Sequence, residues 1–367
     1  MPNRLQLLHD AGQSIWLDFI DRAILRNGEL ARRIGSDALT GMTSNPTIFE
    51  KALAEGELYD DQIRGAANSS SALDLFELVE TSDVREACDI FMPVYEATNG
   101  GDGYVSIEVS PGAANSARET IAEAQRLWAM VARPNVMIKV PGTAEGAIAV
   151  RTLIGAGINV NITLLFAIDA HRRVIDAYIS GLEDRVTAGK PIDRIASVAS
   201  FFVSRVDTEV DKRLDAIGTP EAKALKGKAA VANAQLAYKL FLGQFDSERW
   251  APLAAQGARL QRPLWASTSS KNPAYRDVIY VEQLVGPNTV NTMPPATIEA
   301  YRDHGETART VDADFAGAER TMRDLAAAGV DMTDVTDKLL SDGLASFQKS
   351  FDSLTAGLEK KHGQLVG

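Results

Sequence analysis

Eight short runs rich in β-branched and aromatic residues alternate with longer amphipathic segments along this 367-residue chain. We predict strands at residues 14–20, 38–44, 104–109, 136–140, 159–165, 195–203, 264–268 and 289–293. Helix-like segments lie between them, including residues 73–98, 116–132, 144–156, 167–188 and 204–217. Strands that alternate with helices pair in parallel. The simplest arrangement is therefore a closed (β/α)8 barrel, and a doubly wound open sheet is the competing architecture.

No linker or shift in composition divides the chain, so we predict a single α/β domain, a (β/α)8 TIM barrel, over residues 1–367. Two regions exceed a minimal barrel. Residues 220–259 predict one or two added helices between the sixth and seventh strands, and residues 311–367 predict two more, at 314–328 and 332–360. The pattern leaves open whether these helices pack on the outside of the barrel or over its mouth.

The composition excludes several classes of protein. Hydrophobic residues make up 45% and charged residues 24%, as in globular proteins. A net charge of −11 argues against nucleic-acid and membrane partners but allows a small phosphorylated ligand held by a few local cations. The N-terminal segment lacks the apolar core of a signal peptide, and no apolar run approaches membrane-spanning length. The single cysteine, Cys88, and four scattered histidines show no metal-ligand spacing. We expect a cytoplasmic monomer or homodimer.

Successive residues of a strand point to opposite faces of the sheet. In four of the predicted strands, one face contains polar groups and the other face is apolar. The residues on the polar faces are Trp16 and Asp18, Ser106 and Glu108, Met137 and Lys139, and Asn159, Asn161 and Thr163. Helices must cover the outside of a barrel with apolar contacts. We therefore expect the polar rows to face the barrel axis.

Lys139 lies in the otherwise apolar run 136–140. A buried ammonium costs several kcal/mol, so such a lysine is usually paired with an acid or used as an amine nucleophile. A lysine amine can attack a ketone and form an iminium, which is the electron sink for breaking the adjacent C–C bond. Asp18 and Glu108 are the two acid/base groups that this route needs, Glu108 acting through a water held by Thr163. This chemistry requires no metal or organic cofactor.

Each of these residues also has a structural alternative. Asp18 is suited to cap a helix that follows the first strand. Glu108 is suited to a buried ion pair with Lys139 that has no chemical role. Asn161 and Thr163 are suited to bind backbone groups at the end of their strand.

Five motifs, in order along the chain, resemble those of the transaldolases. They are residues 43–49 (TSNPTIF), 138–141 (IKVP), 159–166 (NVNITLLF), 199–207 (ASFFVSRVD) and 266–273 (ASTSSKNP). The resemblance covers essentially the whole chain and implies a circularly permuted class I aldolase barrel that uses no cofactor. It also implies a reaction of the pentose phosphate pathway. In it, a dihydroxyacetone unit moves from sedoheptulose 7-phosphate to glyceraldehyde 3-phosphate, giving erythrose 4-phosphate and fructose 6-phosphate.

The resemblance also implies roles for individual residues. Lys139 would form the Schiff base, Asp18 would transfer protons, and Glu108 with Thr163 would hold the catalytic water. The residues that would bind the phosphorylated sugar are Asn45, Asn161, Ser200, Phe202, Arg205, Ser267 and Lys271. Among these, Asn45 and Asn161 would bind the dihydroxyacetone part.

At the phosphate end, Arg205 is expected at the start of a helix after the sixth strand, where the helix dipole adds to its charge. The alternative for Arg205 is a surface ion pair with Asp207 or Glu209. Lys271 falls near where some relatives use arginine. Lysine in that place would replace the bidentate phosphate contact of an arginine by a point charge.

Two phenylalanines depart from the pattern of related proteins. Phe201 stands where many relatives have proline, and this change has no evident chemical meaning. Phe202 stands where the fructose 6-phosphate aldolases of the same family tend to carry tyrosine. A phenyl ring cannot hold a water by hydrogen bonding, which favours transfer over simple cleavage. A fructose 6-phosphate aldolase and a non-catalytic sugar-phosphate-binding barrel remain as alternatives.

Overall fold

A computed structural model describes residues 3–54, 57–66 and 71–366 of the chain. Eight parallel strands close into a barrel in chain order. They are β1 Gln13–Asp18, β2 Leu39–Thr43, β3 Tyr104–Glu108, β4 Val136–Pro141, β5 Val160–Leu165, β6 Ser197–Phe202, β7 Arg262–Ala266 and β8 Thr289–Met293. The predicted (β/α)8 barrel is confirmed, and the open sheet is excluded because β8 pairs with β1.

Helices precede, connect and follow these strands. They are α1 Arg4–Asp10, α2 Arg22–Arg26, α3 Glu29–Asp37, α4 Pro46–Ala54, α5 Asp60–Arg64, α6 Ala72–Ala97, α7 Ala117–Val131, α8 Ala144–Ala156, α9 Ile168–Thr187, α10 Ser204–Ile217, α11 Pro220–Lys223, α12 Ala229–Phe245, α13 Ala251–Ala254, α14 Ile279–Glu282, α15 Pro295–His304, α16 Phe315–Ala327 and α17 Met332–Val366, with a 3-10 helix at Pro111–Asn115. None of these helices combines the length and the apolar character that crossing a bilayer requires, across the part of the chain that the structure describes.

Trp16 fills the barrel interior two residues before the end of β1. Its Nε1 donates a hydrogen bond to Oδ1 of Asp102 at 2.9 Å. The ring packs so closely against β2 that a Cβ added at Gly41 would lie 2.5 Å from it. Glycine at position 41 therefore makes room for the indole inside the barrel.

Helix α17 lies over the mouth of the barrel, which answers the question left open by the sequence. Ser350 of α17 forms a hydrogen bond with Thr47 of α4 at 2.8 Å between the hydroxyl oxygens. Phe351 packs edge-on against Phe76 of α6, with ring centroids 5.7 Å apart. At Gly343, an added Cβ would lie 2.9 Å from the Leu164 side chain at the end of β5. These contacts place α17 across the end of the barrel where the strands terminate.

Candidate active site

Strand register sets three of the predicted residues side by side. Glu108 on β3 pairs with Lys139 on β4, and Lys139 pairs with Asn161 on β5. The ammonium Nζ of Lys139 lies 3.0 Å from Oε2 of Glu108 and also donates to the backbone oxygen of Ser44 at 3.0 Å. Both charged side chains are buried. The ion pair that we considered as an alternative is therefore present, at the site where an amine and a carboxylate were expected.

Burial raises the pKa of Glu108, while the charge of Lys139 and its hydrogen bond act in the opposite direction. A second carboxyl, that of Glu80 on α6, is also buried, and burial raises its pKa well above the ordinary value. The negative charge of Glu108 adds to this rise. The raised pKa lets Glu108, which contacts Lys139, hold a proton closer to neutral pH, as acid/base chemistry requires.

Asp18 ends β1 beside Thr43 at the end of β2. Thr43 Oγ1 lies 2.7 Å from Asp18 Oδ1 and 2.6 Å from Thr292 Oγ1 on β8. Burial raises the pKa of Asp18, opposed by the hydrogen bond from Thr43 and by nearby positive charges. The helix-cap alternative for Asp18 is wrong, because it is Asp21 that accepts the hydrogen bond from the Ile24 backbone at the start of α2.

Asn161 and Thr163 on β5 have different surroundings. The amide of Asn161 donates to Ser106 Oγ at 2.9 Å and accepts from Ser200 Oγ at 2.6 Å. Thr163 Oγ1 is buried and has no hydrogen-bond partner among the described residues. Leu164 then takes the left-handed conformation, with φ at 58°, where the pairing of β5 with β6 shifts register. An unpaired buried hydroxyl is uncommon, and in a polar cavity it is a position for a bound water.

Arg205 lies in the first turn of α10, and its guanidinium is 5.2 Å from the ring centre of Phe202. The ion pairs that we considered for Arg205 do not form. Asp207 accepts a hydrogen bond from Tyr280, and Glu209 pairs with Arg213. The guanidinium is therefore not neutralised by either neighbouring carboxylate.

The loop after β7 lies beside the start of α10. Ser267 adopts a left-handed conformation with φ at 55°, and its hydroxyl is 2.9 Å from that of Ser204. Lys271 Nζ donates to Ser269 Oγ at 2.6 Å. Non-glycine residues in this backbone region are costly and cluster at functional sites. Ser267 thus joins the loop that carries Lys271 to the helix that carries Arg205.

A cavity of about 690 Å³ opens at the ends of the strands. All of the predicted site residues line it except Glu108 and Asn161, which bond to the lining residues Lys139 and Ser200. A second cavity, of about 1210 Å³, is lined in part by the N-terminal half of α17 and contains none of the predicted residues. Size alone therefore does not identify the site, whereas the cluster of amine, carboxyl and amide groups does.

Asn45 has a structural contact that the sequence did not reveal. It precedes α4, whose first residue is Pro46, and its Oδ1 accepts a hydrogen bond from the Ile48 backbone at 3.1 Å. Proline at this position of a helix is common because its missing N–H would have no partner there. The cap fixes the side chain of Asn45 at the edge of the cavity.

The comparison with known proteins agrees with this geometry. The model of the family described as "Transaldolase/Fructose-6-phosphate aldolase" matches residues 15–358. A transaldolase of Thermobifida fusca is 50% identical over 356 residues, which cover 96% of this chain and 97% of that protein. Transaldolases of Mycolicibacterium smegmatis and Frankia alni are 49% and 48% identical, covering 99% of this chain and 98% and 99% of their own lengths. The chain belongs to the transaldolase/fructose-6-phosphate aldolase family.

In this member of the family, the barrel brings together motifs that are up to 230 positions apart, roughly from residue 43 to residue 273. Other residues that line the same cavity were not predicted. They include Thr43, Thr47, Lys51, Thr292, Ser346 and Phe347. Thr43 and Thr47 belong to the first of the five motifs, so that motif was the available signal. Ser346 and Phe347 come from α17, and nothing in their local sequence indicates the site.

Proposed function

We propose that the protein is a transaldolase. It transfers a dihydroxyacetone unit from sedoheptulose 7-phosphate to glyceraldehyde 3-phosphate and releases erythrose 4-phosphate and fructose 6-phosphate, a reaction of the pentose phosphate pathway. The observation that carries the proposal is the buried contact between Lys139 and Glu108 at the base of a cavity, in a member of this family. A non-catalytic sugar-phosphate barrel would have no need to bury a reactive amine beside two acidic groups.

In the first half of the reaction, Lys139 Nζ bonds to the ketone carbon C2 of the donor, and the resulting carbinolamine loses water to give an iminium. Glu108 assists this dehydration through a water held by Thr163. The contact between Glu108 and Nζ supports the role of Glu108, and the unpaired Oγ1 of Thr163 supports the position of the water. Asp18 then takes the proton of the C4 hydroxyl while the C3–C4 bond breaks. The electron pair of that bond enters the iminium, which becomes an enamine, and the aldose leaves.

In the second half, the enamine carbon attacks the aldehyde of the acceptor, and Asp18 returns its proton to the new hydroxyl group. Water then hydrolyses the iminium and restores the free amine. Asn45 and Asn161 bind the hydroxyl groups of the three-carbon unit in this proposal. Arg205 and Lys271 bind the phosphate in this proposal. In support of this role, neither of these two cations has a carboxylate partner within the described ranges.

A fructose 6-phosphate aldolase uses the same lysine chemistry but releases the three-carbon unit instead of transferring it. Release requires protonation of the enamine, for which a water must be held beside it. Phe202 offers no hydroxyl for that purpose, and its ring packs against Phe166 at a centroid distance of 5.3 Å. This apolar wall favours transfer to an acceptor.

Assays with fructose 6-phosphate as the donor test the proposal. We expect rapid formation of sedoheptulose 7-phosphate and glyceraldehyde 3-phosphate when erythrose 4-phosphate is added. Without an acceptor, release of free dihydroxyacetone should be slower by orders of magnitude. Equal rates in the two assays would favour the aldolase, and no reaction in either would favour the non-catalytic barrel.

We further propose that the enzyme acts in the cytoplasm as a monomer or homodimer and binds neither nucleic acid nor membranes. The net charge of −11 supports the last two points, because both partners are anionic. The single cysteine, Cys88, is buried in α6 as a free thiol, which is compatible with a reducing compartment.

A further inference from the structure

The cavity contains a cationic residue, Lys51, that the proposed reaction does not use. Lys51 lies on α4, and with Thr47 one turn earlier it forms part of the cavity wall. Its side chain is exposed to solvent. Within residues 3–54, 57–66 and 71–366, its ammonium has no hydrogen-bond or ion-pair partner. Lys51 is thus a charged group that is free to bind an incoming anion.

The acidic residues that adjoin Lys51 in sequence or line the same cavity make other contacts. Glu50, its neighbour in sequence, accepts a hydrogen bond from Ser353 of α17 at 2.5 Å. Asp21 caps α2, and Asp18 accepts the hydrogen bond from Thr43. None of these carboxylates lies within ion-pair distance of Lys51 among the described residues. The protein carries a net charge of −11. An unpaired cation in a concave site therefore gives that site a local positive charge, unlike the negative charge of the protein as a whole.

The order of the strands places Lys51 across the cavity from the proposed phosphate site. Lys51 follows β2, whereas Arg205 follows β6, and these two strands are four apart in a closed ring of eight. Lys271 follows β7, next to Arg205. The cavity therefore has cations on two opposite sides, with the amine of Lys139 between them in the strand order. Its volume of about 690 Å³ is in the range of sites that enclose ligands of drug size.

We propose that Lys51 forms a second anion-binding position, so that this cavity binds sugars that carry a phosphate at each end. The inference rests on the proposed function, in which Arg205 and Lys271 hold the phosphate of a sugar monophosphate. One phosphate of the bisphosphate occupies that position, and the other lies against Lys51 on the opposite wall. A lysine ammonium is suited to this role because it binds phosphate as a point charge without fixed geometry. Such ligands compete with the sugar monophosphates for the cavity.

Two linear ligands without a carbonyl group test the proposal, namely glucitol 6-phosphate and glucitol 1,6-bisphosphate. Neither can form an iminium, so their binding is independent of whether the enzyme catalyses transfer. We expect titration calorimetry at constant ionic strength to show that the bisphosphate binds about three- to tenfold more tightly, as expected for one added charge pair near a surface. Lys51→Met should remove this preference and leave the affinity for the monophosphate unchanged.

Three further variants complete the experiment. Lys51→Arg keeps the charge and should keep the preference. Lys349→Met removes an exposed lysine of α17 that does not line the cavity, and it should also keep the preference. Arg205→Met should weaken both ligands. Three results would overturn the inference, even if the transfer assay succeeds. The wild-type protein could bind the two ligands equally, the preference for the bisphosphate could survive Lys51→Met, or Lys349→Met could remove it equally. A failed transfer assay with the preference intact would instead overturn the proposed reaction.

Discussion

Lys139 and Glu108 form a buried ion pair between neighbouring strands, with Nζ 3.0 Å from Oε2. An amine must lose its proton before it can attack a carbonyl, and a carboxylate at hydrogen-bonding distance is placed to accept it. A structural ion pair and a catalytic pair are therefore not exclusive at this site. In the resting protein, the contact pairs two buried charges, and in the proposed reaction it would place a proton beside the carbinolamine.

Replacing Glu108 by glutamine keeps the shape of the side chain and removes the carboxyl group on which its proposed acid/base role depends. We expect turnover to fall by roughly two to four powers of ten, the usual share of general acid/base catalysis. Glu80→Gln is a matched control, because burial already favours the neutral form of that carboxyl. Steady-state rates of transfer should be nearly normal for Glu80→Gln. A nearly normal rate for Glu108→Gln would limit Glu108 to a structural role.

The unpaired hydroxyl of Thr163 is testable by a pair of substitutions. Thr163→Val has nearly the same shape but cannot hold a water, so we expect kcat to fall roughly ten- to hundredfold, with little change in KM. Thr163→Ser keeps the hydroxyl and should retain most of the activity. If the valine variant turns over as fast as the serine variant, no catalytic water depends on Thr163.

His171 makes the stability of the protein sensitive to acid. Both ring nitrogens are buried without a partner among the described residues, and burial lowers the pKa of His171 from 6.5 to about 3. Between these two pKa values, the unfolded chain therefore binds a proton at His171 that the folded protein does not bind. The stability from this group is complete above pH 6.5 and is lost progressively as the pH falls towards 3.

Between pH 6.5 and pH 5.0, this linkage should lower the free energy of unfolding by about 2 kcal/mol. Urea unfolding at the two pH values measures the loss. His171→Leu should lack it, whereas a variant of the half-buried His304, His304→Gln, should retain it. The same pH dependence in wild type and His171→Leu would show that this histidine is not responsible.

Gly41→Ala should destabilise the barrel, because the added Cβ would lie 2.5 Å from the ring of Trp16. Overpacking of this kind typically costs about 1–3 kcal/mol. Gly35 offers a matched control on α3, since a Cβ there would meet nothing within 4 Å. Gly35→Ala should stabilise the helix by about 0.5–1 kcal/mol. Thermal unfolding that gave the two variants the same midpoint would contradict this account of the packing.

Much of the fold was predictable because it follows from local patterns. Each predicted strand overlaps an observed one, and β8 has the predicted bounds, Thr289–Met293. The predicted tail helices at 314–328 and 332–360 correspond to α16 and α17. The region 220–259 contains three helical segments, α11 to α13, where one or two were predicted, because two of them are only four residues long. Segments that short carry too little periodicity to be recognised.

The site was predictable only where side chains project from strands. Alternation assigned Glu108 and Lys139 to the barrel interior, since each strand residue has a fixed face. It failed at Leu164, expected on the outward row with Val160 and Ile162, because a left-handed φ of 58° interrupts the alternation there. The contribution of Phe347 depends on how α17 packs across the mouth. Long-range packing of this kind leaves no signal in the local sequence.

Covalent trapping tests the central claim most directly. We expect that fructose 6-phosphate with borohydride will reduce the iminium and leave a three-carbon or six-carbon adduct on Lys139, located by peptide mass spectrometry. Lys139→Ala should abolish the adduct while the protein still unfolds cooperatively. No adduct on the wild-type protein, or an adduct on a different lysine, would contradict the assignment of Lys139 as the nucleophile.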